Sequence, residues 1–399
     1  MTRAKKLLLL TVAFVLVSQI PFAYRRYKLG RLNAAIQAVS SERRASKTQD
    51  GYVEYSGVIH VHSFLGGHSE GTFQEIISAA KANELQFVVM TEHAESLIDT
   101  SAMTLKGTHN GVLFVNGNEV RSANGDRLLV IPGDASLDGS DKLTAEQIAA
   151  NTRSRGAISV IAYPNEFKSA GNSYDGIEVY NVFTNARRIN LLVAFFDALW
   201  SHHTYPDLLF ANYYQRPGEE LRKWDALSKE SRFVATAGND SHANIGLNLR
   251  DSSGNQLLGF KLDPYQTSFH IVRVHVLVPS GKPLETTNLL QAIKAGHCFI
   301  AFDVFGDSSG FRFETSNAPA IQGDEVSLQK DLRLRVSIPV SGRLLLFRNG
   351  EIVLDETGIT TKEIPVVDKG VYRVEVYLPQ LGKPVGDQPW IISNPIYVR

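Results

Sequence analysis

The sequence predicts an α/β fold of barrel type, preceded by one apolar helix and followed by an all-β domain. Three observations support this prediction. An uncharged apolar segment lies near the start of the chain, short apolar strands alternate with helical stretches from Tyr52 onward, and alternating strand patterns take over after about residue 305. With 399 residues, the chain is long enough for two or more domains.

The first predicted element is a helix over the apolar segment from Leu7 to about Tyr24, which has basic residues on both sides. A helix of this length spans about 27 Å, close to the ~30 Å hydrocarbon core of a bilayer. We therefore predict a membrane anchor in residues 1–28, with the rest of the chain outside the cytoplasm because the basic start resembles a secretion signal. A cleaved signal peptide is the alternative, and the flanking charges leave the orientation open. Residues 29–51 are polar and helix-compatible, and they are interpreted as a stalk or linker.

Six apolar strands are predicted in residues 52–304, and each one ends in polar or charged residues. They contain Val58–Ile59, Phe87–Met90, Val112–Val115, Ala157–Ala162, Gly176–Tyr180 and Phe233–Thr236. Strands that alternate with helices are typically parallel, and polar side chains at their carboxyl ends are typical of a β/α barrel. Apolar residues at helical spacing in residues 187–232 predict a helical insert in this domain.

Residues 305–399 are interpreted as a β-sandwich. Alternating patterns predict strands at Leu332–Val336, Arg343–Phe347 and Val371–Tyr377. Asn349 and Gly350 between alternating segments are a strong signal for a hairpin.

Composition narrows the classes of function. The 41 basic and 41 acidic residues give zero net charge, so no specific nucleic-acid binding is expected. The single cysteine, Cys298, excludes intramolecular disulfides and thiolate zinc sites, which leaves histidine and carboxylate as metal ligands. The sequence contains neither a phosphate-binding loop motif nor the Gly-x-Ser-x-Gly motif of many serine hydrolases.

Histidine and carboxylate residues recur at the ends of the predicted strands. His60 and His62 point to the same face of an extended segment, and the same spacing pairs Asp240 with His242. His93 and Glu119 also follow strands, and His68 lies in a nearby loop. Such groups are costly to bury together without a cation, and this mixture suits Zn, Mn or Fe.

Five ordered motifs resemble the polymerase and histidinol phosphatase (PHP) superfamily of metal-dependent phosphoesterases. They are His60-Val-His62, His68-Ser-Glu-Gly71, Thr91-Glu-His93, Gly117-Asn-Glu119 and Asp240-Ser-His242. The resemblance covers about residues 52–302 and implies a distorted (β/α)7 barrel. The helical insert, Trp224-Asp225 and the C-terminal segment Trp390–Tyr397 are similar to the CehA/McbA-like metallohydrolase subgroup, which carries a comparable sandwich.

The resemblance also implies the ligands of two divalent metal ions. His60, His62, Glu119 and Asp240 would hold one, and His68, His93 and His242 the other, with Glu119 as a candidate bridge. At two positions where the family often has histidines for a third metal, this chain has Arg127 and Tyr163. We therefore expect two metals rather than three. Arg127 is expected to hold an anionic substrate group, and Tyr163 to donate to the same oxygen.

These expectations point to a metal-dependent hydrolase, with phosphate esters of small anionic molecules as the first hypothesis. Two metals would lower the pKa of a water between them and stabilise developing charge. The expected catalytic residues are Asp240 as base, Glu119, Arg127 and Tyr163, while Glu92 would orient a ligand. A carbamate, ester or amide hydrolase, a nuclease and a membrane-tethered binding protein without catalysis remain open as alternatives.

The other histidines lack ligand spacing to one another and are interpreted as structural or solvated. They are His109, His202, His203, His270, His275 and His297. Glu178 is expected either to support a ligand or to make a structural hydrogen bond.

Overall fold

The computed structural model describes residues 2–44, 51–95, 97–137, 139–186, 189–244, 246–250, 256–261 and 263–399. Over these residues the protein is a mixed α/β structure with an N-terminal apolar helix. Residues 45–50 of the predicted linker and residues 187–188 of the predicted insert lie outside the described residues.

The α-helices are α1 (Arg3–Ser41), α2 (Phe73–Ala82), α3 (Thr100–Met103), α4 (Ala145–Ser154), α5 (Val182–Ala186), α6 (Leu191–Ser201), α7 (Gly218–Glu230), α8 (Tyr265–Ile271) and α9 (Thr286–Ala295). The strands of the first three quarters of the chain are β1 (Tyr52–Val61), β2 (Phe87–Met90), β3 (Glu92–His93), β4 (Gly107–His109), β5 (Val112–Val115), β6 (Asn118–Arg121), β7 (Arg127–Ile131), β8 (Ile158–Ala162), β9 (Gly176–Asn181), β10 (Val234–Gly238), β11 (Gly246–Arg250), β12 (Gln256–Lys261), β13 (Arg273–Pro279) and β14 (Cys298–Ala301). The remaining strands are β15 (Arg312–Thr315), β16 (Glu325–Val326), β17 (Arg333–Arg348), β18 (Glu351–Pro365), β19 (Gly370–Tyr377), β20 (Pro389–Ser393) and β21 (Ile396–Val398).

Helix α1 is longer than the predicted anchor. Its apolar window has a mean hydropathy of 2.1, none of it is buried, and by length and composition it could cross a membrane. The helix then continues to Ser41 and buries Leu29, Leu32 and Val39. Residues 29–41 of the expected helix-compatible stalk or linker thus belong to α1. The three apolar side chains share one helical face, and that face packs on the folded chain.

The strand pairings near the predicted site form a connected ring. One sheet has the order β10-β9-β8-β7-β6-β3, and a larger sheet contains the order β14-β13-β1-β2-β5-β4. Strands β2 and β3 follow each other along the chain with one residue between them, and β6 begins three residues after β5 ends. A bridge between Val61 and Ser241 links the end of β1 to the segment that follows β10. The ends of these strands therefore meet around one centre.

Several pairings within residues 52–304 are antiparallel rather than parallel, among them both pairings of β7. β7 pairs antiparallel with both β6 and β8, whereas β1–β2, β2–β5, β8–β9 and β9–β10 are parallel. The physical reason is the connection between β6 and β7. Residues 122–126 make a tight turn, whereas a parallel crossover needs a dozen residues or more.

The C-terminal strands belong to the larger sheet. β17 and β18 form the predicted hairpin, and Asn349 and Gly350 have φ angles of 52° and 85°, as a two-residue hairpin turn requires. β20 pairs with β14, so hydrogen bonds connect the strands on both sides of residue 305. Asp225 of α7 also accepts two bonds from the buried Arg373 of β19, at 2.6 and 2.8 Å. The C-terminal strands are thus attached to the part of the chain that carries the site.

Candidate metal centre

A local irregularity at the end of β1 positions the first two histidines. The pairing of β1 with β2 shifts register between Ile59 and Val61, and His60 between them has a φ of 67°. A bulge of this kind re-aims a side chain. The rings of His60 and His62 are both fully buried, with centroids 5.1 Å apart.

Two further strand ends use the same backbone conformation. Tyr163 after β8 has a φ of 48°, and Asp240 after β10 has a φ of 49°. This left-handed region is uncommon for residues other than glycine and costs on the order of 1–3 kcal/mol for each residue. His60, Tyr163 and Asp240 are in contact with one another or with common partners, so backbone strain is concentrated at one place.

The structure brings together the four side chains expected to hold one metal. Ligand atoms of His60, His62, Glu119 and Asp240 all lie within 4.8 Å of one another. Glu119 Oε2 is 3.2 Å from His60 Nε2 and 3.4 Å from His62 Nε2. Asp240 Oδ1 is 3.5 Å from each of the same two nitrogens. All four residues are buried.

The second expected group is arranged differently. His62, His93 and His242 form a second set of converging ligand atoms, so His62 is common to both sets. His68 lies beside this set rather than in it. Its Nε2 is 3.2 Å from His93 Nε2, and its ring centroid is 4.6 Å from that of His242. His68 is exposed, because it lies in a loop after the strand.

Several buried atoms of this cluster have no hydrogen-bond partner among the described residues. They are His62 Nδ1, His62 Nε2, His242 Nε2 and Asp240 Oδ1. A buried polar atom without a partner costs about 1–3 kcal/mol, and more when it is charged. A divalent cation would satisfy these atoms, and imidazole and carboxylate are suitable ligands for it. The buried histidine, glutamate and aspartate groups could therefore hold a metal ion.

Neighbouring residues fix the orientation of these groups. His60 Nδ1 lies 2.7 Å from Glu178 Oε1, which leaves Nε2 facing the cluster. Gly238 makes this contact possible, since a side chain at that position would collide with Glu178. His242 Nδ1 lies 2.9 Å from the carbonyl oxygen of Asp240, so Nε2 is the ring nitrogen that has no hydrogen-bond partner among the described residues. Of the two roles expected for Glu178, the structure places it in support of His60.

Arg127 and Tyr163 contact the two carboxylates. Arg127 Nη1 donates to Glu119 Oε1 at 2.6 Å, and the Tyr163 hydroxyl donates to Asp240 Oδ2 at 2.6 Å. Asn181 also donates to Asp240 Oδ2, at 3.2 Å. Each carboxylate thus has one oxygen occupied by a neighbour and the other directed at the histidines. Arg127, which was expected to hold an anionic substrate group, pairs with Glu119, and 40% of its side chain remains exposed.

The pKa shifts of His62, His93, Glu119 and Asp240 favour the protonation states that bind metals. Burial lowers the pKa of His62 to about 3 and that of His93 to about 4. Burial would raise the pKa of Glu119 and Asp240, but the neighbouring histidines outweigh it and lower both values. Neutral imidazole and ionised carboxylate are the forms that bind metals. His60 differs: burial would lower its pKa, but Asp240, Glu178 and Glu119 outweigh burial and raise it.

Glu92 supports the loop rather than a ligand. Its carboxylate accepts from the backbone N–H of Ser63 at 3.0 Å and from the hydroxyls of Ser63 and Thr104 at 2.6 and 2.8 Å. Burial raises the pKa of Glu92. It was expected to orient a ligand directly, and the structure corrects this. Because Ser63 directly follows His62, the hydrogen bonds from Ser63 to Glu92 fix the turn of the chain after His62.

A cleft of about 330 Å³ opens beside the cluster. It is lined by His93, Glu119, Arg121, Arg127 and Asp141, among others. Arg121 lies directly opposite Arg127 in the β6–β7 ladder, a position that the sequence analysis did not single out. Like charges in such a position are unfavourable, and Glu119 supplies a counter-charge to Arg127. The only signal in the sequence was the Asn124-Gly125 turn between the two arginines.

Of the histidines interpreted as structural, several pair with carboxylates elsewhere. His270 Nδ1 lies 3.0 Å from Asp207, and His297 Nε2 lies 2.8 Å from Asp324. His275 is buried between Glu54 and Asp303. His275 and the first residues of β1 line a cavity of about 1360 Å³. His60 and His62 lie at the opposite end of β1.

No family model and no curated protein matches the chain. Two solved structures are similar over part of it. The crystal structure of PsfC from Pseudomonas syringae PB-5123 is 17% identical, with a TM-score of 0.37, over 60% of this chain and 89% of PsfC. A complex of Endonuclease Q with a 27-mer duplex substrate that has an abasic lesion at the active site is 14% identical, with a TM-score of 0.36, over 61% of this chain and 57% of that one. Similarities of this size carry no argument about function.

Proposed function

We propose that the protein is a metal-dependent hydrolase that acts on phosphate esters of small anionic molecules. The observation that carries this proposal is the convergence of His60, His62, Glu119 and Asp240, with buried ligand atoms that have no other partner among the described residues. We propose two ions of Zn, Mn or Fe. The second would be held by His93 and His242, with His68 beside them.

A divalent metal would supply a water of lowered pKa and positive charge for the developing negative charge of the reaction. The protein's own residues would hold the ligands in place. Glu178 orients His60, while Tyr163 and Asn181 fix one oxygen of Asp240. Asp240 Oδ1, which has no hydrogen-bond partner among the described residues, is the proposed ligand atom, and the Asp240 carboxylate is the proposed acceptor of the proton from the attacking water.

Two features of the cleft support a small anionic substrate. Its volume of about 330 Å³ is in the range of small-molecule sites. Arg121 and Arg127 lie opposite each other in the β6–β7 ladder and both line the cleft, so an anionic group there would meet two basic side chains. The Arg127 side chain also lies 5.5 Å from the centre of the Tyr163 ring, which limits its movement.

We further propose that the ring of strand pairings is a PHP-type barrel and that residues 305–399 are an attached β-sandwich. The arrangement of the two sheets and the Val61–Ser241 bridge between β1 and the segment after β10 support the barrel. We propose that α1 anchors the protein in a membrane with the catalytic domain outside the cytoplasm. The unburied apolar window of α1 supports the anchor.

The test is a substrate panel on the full-length protein loaded with Zn or Mn. The panel contains chromogenic phosphate monoesters and diesters, sulfate esters, carboxylic esters and carbamates. We expect metal-dependent turnover of a phosphate ester, abolished in His62→Ala and retained in His270→Ala, a matched change at a half-exposed histidine. Turnover of carbamates or carboxylic esters alone would replace the phosphoesterase proposal. Metal binding without any turnover would favour a binding protein.

A further inference from the structure

Helix α6 exposes large apolar side chains and buries its charged residue. Leu192, Phe195 and Leu199 are 68, 58 and 67% exposed. Their spacing of three and four residues places them on one face. Asp197, which carries the only charge in the sequence of this helix, is 2% exposed. A helix on the surface of a soluble protein has the reverse distribution.

Contacts with α1 hold α6 in this orientation. Arg25 of α1 donates to both oxygens of Asp197, with Nε to Oδ1 at 2.7 Å and Nη2 to Oδ2 at 2.6 Å. The Tyr213 hydroxyl also donates to Asp197. Rotation of α6 to bury its leucines would break this ion pair and expose a carboxylate that now accepts four hydrogen bonds from two side chains. The outward apolar face is therefore a fixed feature of the structure.

Helix α6 meets α1 at the end of the apolar window. Trp200 Nε1 donates to Gln19 Oε1 at 3.0 Å, and the rings of Phe22 and Phe196 lie 5.0 Å apart. On α1 itself, Ile20 is 62% exposed. The exposed apolar face of α6 thus adjoins the exposed apolar surface of α1.

The residues around the contact between α1 and α6 include types that are typical of a membrane–water boundary. Tyr24 and Tyr27 are exposed on α1, and Trp200 is 36% exposed on α6. Arg26 donates to the backbone oxygen of Trp200 and to Thr204. Tyrosine and tryptophan are enriched at both membrane interfaces, and basic side chains favour anionic headgroups.

We propose that α6 lies in the surface of the lipid bilayer beside the anchor, with Leu192, Phe195 and Leu199 among the acyl chains. This inference rests on the proposed membrane anchor and goes beyond it, because it gives the folded domain a second attachment to the membrane. Interfacial helices bury their apolar face about 5–10 Å deep. Asn181, which contacts Asp240, lies at the end of β9 and precedes α5 and α6 in the chain, so only a short stretch of sequence separates α6 from the candidate metal centre.

The test uses spin labels on the full-length protein in vesicles of phosphatidylcholine and phosphatidylglycerol. Labels are attached at Leu199→Cys on α6, at Leu10→Cys in the anchor and at Val367→Cys, a position 77% exposed between β18 and β19. The native Cys298 is fully buried, and burial raises the pKa of its thiol to about 12, so it does not compete for the label. The measurement is the collision rate of each label with oxygen, which dissolves in lipid, and with a water-soluble nickel chelate.

We expect the labels at positions 10 and 199 to collide several-fold more with oxygen and several-fold less with the nickel chelate than the label at position 367. A lipid-exposed label at 10 with a water-exposed label at 199 would overturn the inference and leave the anchor intact. Water exposure at both 10 and 199 would overturn the anchor as well. Magnetic broadening between labels at 199, lost on dilution with unlabelled protein, would show that a second copy covers this face, which also overturns the inference.

Discussion

The protein buries two clusters of histidine and carboxylate, and the two differ in how their polar atoms are satisfied. In the His275 cluster, Nδ1 lies 2.8 Å from Glu54 and Nε2 lies 2.9 Å from Asp303, so both ring nitrogens are paired. In the candidate metal centre, both ring nitrogens of His62 and one oxygen of Asp240 have no hydrogen-bond partner among the described residues.

Burial alone therefore does not identify a ligand-binding site. Both clusters are buried, and the His275 cluster borders the cavity of about 1360 Å³. A cluster that satisfies its own hydrogen bonds stabilises the fold, whereas one with unpaired atoms and a strained backbone is arranged for a ligand. The backbone of His60 and Asp240 is in the left-handed region, and His275 is in the regular strand β13.

The largest expected effect is the loss of metal-dependent stabilisation in Asp240→Asn. In the wild-type protein, a metal at a thousand times its Kd raises the free energy of unfolding by about 4 kcal/mol. Asp240→Asn removes an anionic ligand, so we expect this gain to disappear, while the metal-free variant unfolds close to wild type. The measurement is thermal unfolding with and without Zn or Mn. An equal metal-induced rise in both proteins would contradict the assignment of Asp240.

For a substitution in the His275 cluster, we expect a loss of stability but no loss of the metal-dependent stabilisation. His275→Ala leaves Glu54 and Asp303 buried without their shared partner, and breaking a buried ion pair costs roughly 3–5 kcal/mol. Urea unfolding should show this loss, and the metal-induced rise in stability should persist. A variant as stable as wild type would mean that Arg312, which also contacts Glu54, is sufficient on its own.

His275 should contribute a pH dependence to the stability of the protein. Burial would lower the pKa of His275, but Asp303 and Glu54 outweigh it and raise the pKa from 6.5 to about 9. The protonated imidazole therefore stabilises the fold fully below pH 6.5 and loses this effect as the pH rises through 9. We expect a loss of roughly 3 kcal/mol over this range. Urea unfolding at several pH values measures it, and His275→Gln should lack this contribution. An identical slope in both proteins would contradict the assignment.

The smallest expected effect is that of Tyr163→Phe. The change removes the hydroxyl that donates to Asp240 Oδ2 and keeps the ring. Removing a group that orients a metal ligand typically weakens metal affinity by about 10–100-fold. Calorimetric titration with Zn or Mn measures the change. Tyr174→Phe is the control, because that hydroxyl contacts Glu146 away from the site. Equal affinities in the two variants would show that Asn181 alone fixes Asp240.

The sequence predicted the convergence of four candidate ligands better than it predicted the surrounding structure. His60, His62, Glu119 and Asp240 could be found because each follows an apolar strand, and the strand ends converge. The antiparallel strand β7 was missed, since the alternation of strands and helices suggests parallel pairing and the short turn after β6 overrides it. Arg121 was missed because its place opposite Arg127 depends on that pairing.

Other features depend on contacts between residues far apart in the chain. His275 was interpreted as structural or solvated, and its partners could not be inferred because Glu54 lies 221 residues away in sequence. Similarly, the apolar spacing of α6 predicted a helix but not which face would be buried. The ion pair between Asp197 and Arg25 decides that orientation, and these residues are separated by 172 positions.

The central claim is that the cluster around His62 and Asp240 binds a divalent metal. The most direct test is elemental analysis of purified full-length protein after loading with Zn or Mn and removal of free metal, with His62→Ala and His275→Ala measured in parallel. We predict stoichiometric metal in the wild type and in His275→Ala, and a loss of most of it in His62→Ala. Metal-free wild-type protein, or equal metal in all three proteins, would contradict the account.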